Sequence, residues 1–96
     1  MKHIKIAPVA GSFAENKDVA QELRLSRIVP ALKAGEEVVL DFAGVEAATQ
    51  SFIHALLSDL IRVYGVEVLD LLVFKNCNAT VKKIIQIVID YMQEGA

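Results

Sequence analysis

The chain reads as one small α/β domain in the order β-α-β-α-β-α. Three observations carry this. Strand-like and helix-like hydrophobic periods alternate along the 96 residues. Glycines and asparagines fall at the changes of period. Apolar residues make up 54% and charged residues 23%, enough for a packed core and too apolar for a disordered chain. The length fits a single domain spanning residues 1–96.

The first strand is expected over residues 2–9, "KHIKIAPV", where Ile4 and Ile6 share a side. Pro8 lacks an amide hydrogen, which suits an edge strand or a strand end. Gly11-Ser12 breaks the pattern. A helix follows over 16–33, with Asn16 as N-cap and Asp18 in its positive first turn. Pro30 is expected to kink this helix or to end it near Ile28. "EEVVLDF", residues 36–42, is the clearest strand, and its run Val38-Val39-Leu40 is that of a strand covered on both faces. Gly44 marks the turn after it. The helix from about Ser51 to Tyr64 carries Ile53, Leu56, Leu57, Leu60, Ile61 and Tyr64 on one side, and Gly65 stops it. Residues 67–74, "EVLDLLVF", read as a third strand, parallel to 36–42 through a right-handed crossover. Asn76 and Asn78 end it and cap the last helix, 79–92, whose wide apolar arc predicts burial on more than one side or an oligomer contact.

Composition narrows the function. The net charge is −2 with both signs scattered, and no aromatic residue is interleaved with arginines, so nucleic acid is not an expected partner. Apolar runs are a few residues long, far short of the ~20 that span a bilayer. Cys77 is the single cysteine, so no intrachain disulfide forms. With no export-type leader, a cytoplasmic location is expected. His3, His54 and Cys77 are too dispersed for a zinc site, and neither a metal nor a cofactor is implied.

The stretch "VVLDFAGVEAATQSFIHALLSDL" resembles the central signature of STAS-like domains, the fold of bacterial anti-sigma factor antagonists and sulfate transporter tails. Leu40-Asp41-Phe42 and Gly44-Val45 match the strand end and turn, and Ser51 falls where that family places its phosphorylatable serine or threonine. The form "LDF…V…QSF" is similar to a bacterial STAS-like subfamily of uncharacterised function whose members often accompany histidine-kinase-like ATPase domains. The chain departs from the signature at Thr49, where the family has Asp, and at Gln50, where it has a small Ser. The resemblance implies a STAS-like fold, a small, mostly parallel sheet with helices packed on it. It also implies a non-enzymatic regulatory module that docks a kinase-like, anti-sigma-type ATPase and is switched by phosphorylation of Ser51.

The docking set expected on that basis is Gly44, Val45, Glu46, Thr49, Gln50, Ser51 and His54. From the residues alone, Thr49 or Ser51 can equally be a helix cap. Asp41 is expected to be structural, bonding loop amides, since "IAPVAGS" supplies no acidic pair of the kind a phospho-accepting aspartate needs. The alternatives are a small hydrolase using Ser51 and His54, which would lack an orienting third residue, and a purely structural oligomerisation domain that associates through the last helix.

Overall fold

In the computed structural model, which describes residues 1–94, the core is a three-stranded sheet in the order β1-β3-β5. The strands are β1 (Lys2–Lys5), β3 (Val38–Asp41) and β5 (Leu72–Lys75), and both pairings are parallel. The register sets His3, Val39 and Val73 in one row and Lys5, Asp41 and Lys75 two rows on. The expected parallel pairing of the second and third strands is present, and the 2–9 segment supplies an edge strand.

Several boundaries differ from the sequence expectation, each for a local reason. The first strand stops at Lys5, and Ala7–Ala10 forms one helical turn, α1. Pro8 sits in the first turn of α1, where its missing amide hydrogen costs nothing. A two-residue strand, β2 (Phe13–Ala14), follows and pairs parallel with β4 (Ala47–Ala48). Neither was expected, because two residues are too few to show a period. The third expected strand is half right. Val66–Leu71 coils as a 3₁₀ helix, and β5 begins only at Leu72. Val68 and Leu72 are buried while Asp70 between them is exposed, whereas a strand would set all three on one face.

The first long helix runs past Pro30 instead of ending before it. Asn16 caps α2 (Lys17–Leu23) by accepting a 2.9 Å bond from the Asp18 amide. A π-helical stretch, Arg24–Ile28, then leads into α3 (Val29–Lys33), with the Val29 amide donating to the Arg24 carbonyl. The wider turn accommodates a proline that has no amide hydrogen and whose ring would crowd the preceding turn. It also sets the next buried apolar position after Leu23 at Ile28, five residues on, while Arg24 turns inward four residues after Ala20, by ordinary α-helical spacing.

The remaining helices are α4 (Gln50–Tyr64) and α5 (Ala79–Glu94). The strand order advances in one direction through right-handed crossovers, so the helices form one layer on one face. Ile4, Val38, Leu40 and Leu72 join that layer's core, with Phe42, Phe52, Ile53, Leu56, Leu57 and Leu60. Val39 points the other way and lies outside this cluster, although it is buried by its neighbours. The sheet is therefore covered by helices on one face, not on both. The last helix is likewise buried along one stripe, Val81, Ile85 and Val88, rather than on several sides. Ile87 and Tyr91 are exposed. Among the described residues, no helix is long and apolar enough to cross a membrane.

Candidate functional site

The site is built where β3 hands the chain to α4. Asp41 closes β3, and its Oδ1 accepts 2.9 Å from the Ala43 amide and 3.0 Å from Asn76 Nδ2. These bonds tie the ends of the two neighbouring strands together. The Asn76 bond, then the Ala43 bond, hold the carboxyl below its usual range, and Lys75 and Lys5 in the same row add to this. Gly44 follows at φ +86°, a left-handed conformation that favours glycine, and an added Cβ would meet the Ala7 side chain at 3.3 Å.

The segment after Gly44 is pinned on two sides. The Glu46 and Thr49 amides donate to the carbonyls of Ser12 (2.7 Å) and Ala14 (2.9 Å). Asn78 Nδ2 donates to the Glu46 carbonyl at 2.7 Å, while Asn78 Oδ1 accepts from the Val81 amide and caps α5. The two-residue strand pair β2–β4 and the start of α5 thus fix where α4 begins.

The cap is Thr49. Its Oγ1 accepts from the Phe52 amide at 3.1 Å, and its carbonyl takes the Ile53 amide. Ser51 is left as the second residue of the helix, exposed, and its hydroxyl bonds no other described residue. The Gln50 and Ser51 amides are the first two of the helix and have no intrahelical acceptor. Gln50, Ser51 and His54 line a shallow, open hollow of about 280 Å³. His54, one turn on, is half-buried with its ring edge-on to Tyr91 of α5, centroids 6.4 Å apart. No hydrogen bond joins His54 to Ser51 among the described residues.

The expected docking residues therefore separate. Gly44, Glu46, Gln50 and Ser51 are exposed, and His54 and Thr49 half so. Val45 is a correction. It is only 4% exposed and packs in the core, so its side chain has nothing to offer a partner. Sequence reasoning missed Tyr91, which lies 37 residues from His54 and shares no local pattern with it. It also missed Arg24. That buried guanidinium donates to the Ala55 carbonyl of α4 and pairs with Asp59 at 3.1 Å, and Asp59 pairs in turn with Arg62. Cys77 is half-buried beside the site, and burial pushes its thiol up. Among the described residues, no group of three or more His, Cys, Asp or Glu side chains is placed to hold a metal.

Comparison with known proteins fits this architecture. Residues 19–82, two thirds of the chain, match the family described as a STAS-like domain of unknown function (DUF4325). No curated protein and no solved structure matches with significance. The matched segment runs from α2 through β3, the Gly44 turn and α4 to the capped start of α5, and on that evidence the chain belongs to the STAS-like domain family of unknown function.

Proposed function

We propose that this protein is a non-enzymatic regulatory module that docks a histidine-kinase-like ATPase of the anti-sigma type through the surface at the start of α4, and that phosphorylation of Ser51 releases it. The observation that supports this best is the division of labour in the Thr49-Gln50-Ser51 triplet. Thr49 does the capping, so the exposed Ser51 hydroxyl has no structural task in the helix. A phosphate there would add about −1.5 to −2 charge. The free amides and positive end of a 15-residue helix would tolerate that charge within the molecule. A partner seated over Gly44, Glu46, Gln50 and His54 would instead meet new charge and bulk.

The test has two arms. Purified wild type and Ser51→Ala are incubated with host extract and labelled ATP, and the modified residue is mapped by mass spectrometry. In parallel, wild-type and Ser51→Asp baits capture partners from the same extract. The expected result is label on Ser51 only, and an ATPase of the kinase-like class on the wild-type bait that the Asp bait loses. Label elsewhere, or equal capture of that partner by both baits, rejects the switch.

A further inference from the structure

Between the first long helix and α4 lies a hollow of about 280 Å³. Leu25 and Val29 line one wall, Val63 and Tyr64 the other, and the buried Leu60 lies at its base. Leu25 is 53% exposed and Tyr64 38%, and Val63, at 73%, is the most exposed large apolar side chain among the described residues. None of these three packs into the core. Val63 serves the helix no better, since a β-branched residue is a weak helix former. Exposed apolar residues scattered singly are ordinary, but three around one hollow make a patch of the kind that marks a binding surface. Leu25 belongs to the π-helical stretch, and π turns are frequent at functional sites.

The rim of this hollow is cationic, on a chain whose net charge is −2. At one end Arg24 reaches across to the Ala55 carbonyl and to Asp59. Asp59 is the only carboxylate that lines the hollow among the described residues. Both of its oxygens are taken, one by Arg24 and one by Arg62. Lys33 lines the other end, exposed, and pairs with no carboxylate among the described residues. Three cationic side chains thus stand against one carboxylate around an apolar centre.

We infer that this groove docks an acidic amphipathic helix of a partner protein, with the helix's apolar stripe on Leu25, Val63 and Tyr64 and its carboxylates toward Lys33 and Arg62. The shape selects a helix. Two helices side by side leave a furrow that the ridge of a third can fill. From Arg24 to Lys33 the furrow is about 14 Å long, or about two and a half turns. The surplus of positive charge selects an acidic one. The patch is small beside the ~800 Å² per partner of a standard interface, so the docking is weak. Ser51 lies at the opposite end of α4, and the inference stands independently of the phosphorylation reading.

The probe is a synthetic peptide of about 14 residues, with leucines at i, i+3, i+4 and i+7 and glutamates elsewhere. It is titrated to about 1 mM into the full nitrogen-15-labelled chain at low salt, where charge pairs are least screened. Saturable amide shifts are expected along 24–33 and 59–64, with 44–54 unmoved. A counterpart with lysine in place of glutamate should bind at least about tenfold more weakly, as should a scrambled acidic peptide that has no apolar face. Leu25→Ser combined with Val63→Ser should weaken the acidic peptide about tenfold or more. Lys33→Glu should weaken it too, and should narrow its lead over the lysine peptide. Ile87→Ser on α5 should change nothing. A far-UV circular dichroism spectrum confirms the fold of each variant, and if the double variant fails it, Lys33→Glu still decides. The absence of saturable shifts overturns the inference, as does equal binding of the lysine or scrambled peptide, or shifts centred on 44–54. A dimer of the free chain in sedimentation equilibrium that the double variant abolishes gives the groove to a second copy and also overturns it.

Discussion

At the scale of single residues, the Thr49 and Ser51 hydroxyls look alike in sequence and differ in use. Thr49 Oγ1 satisfies the Phe52 amide, which would otherwise be an orphan donor. Thr49→Ala should cost about 1 kcal/mol in a urea denaturation, whereas Ser51→Ala should stay within about 0.5 kcal/mol of wild type. Equal losses would mean that the two hydroxyls share the cap. Asp41 makes a prediction about acid. Its bonds to Asn76 and Ala43 lower its folded pKa below the ordinary 3.8. A lowered carboxyl contributes stability that is fully present above the unfolded value and is lost as pH falls through the folded one. The stability gap between wild type and Asp41→Asn should therefore be widest at neutral pH and should narrow as pH falls below the ordinary 3.8. A gap of constant size across that range would show that the charge of Asp41 is not what its neighbours stabilise.

At the scale of elements, helix α5 shows how a wide apolar arc misleads. Val81, Ile84, Ile85, Ile87, Val88, Ile89 and Met92 cover most of the helix surface in projection. Only Val81, Ile85 and Val88 are buried, with Ile84, Ile89 and Met92 half-covered at the flanks. Val88→Ala should cost about 1–3 kcal/mol, and Ile87→Ala about 0.5 kcal/mol or less, in chemical denaturation. The π-helical stretch makes the complementary point. At its first residue, a buried arginine was not legible because the residue type argues for solvent, although Arg24 stands four residues after Ala20 on the core face. Its bonds to Ala55 and Asp59 clamp the first long helix to α4. Arg24→Ala should lower stability by about 1–3 kcal/mol, since the buried guanidinium's bonds to the Ala55 carbonyl and to Asp59 are both lost. A neutral result would show that water replaces the guanidinium without loss.

At the scale of the whole molecule, two layers rather than three set both what is rigid and what is open. Strand β3 is bonded on both sides, whereas β1 and β5 are edges. In hydrogen exchange, the Val39 and Leu40 amides should be among the slowest, and the outward amides of β1 and β5 faster by orders of magnitude. Comparable rates would mean that a further strand or partner covers an edge. The sequence by itself determined the class, the element order and the parallel pairing, since each rests on a hydrophobic period that neighbouring residues report. It also placed Asn16 as a cap and marked the Gly44 turn and the start of α4, because such signals are local chemistry within three or four residues. Only the tertiary structure decided which hydroxyl of the triplet caps, that Val45 turns inward, that Tyr91 meets His54, and that β2 and β4 pin the start of α4. It alone decided that the run Val38-Val39-Leu40 is roofed by helices on one face. The physical reason is the same in each case. A period reports whether a residue is apolar, but which surface covers it depends on contacts between segments tens of residues apart, and on the hand of crossovers that send every helix to the same side.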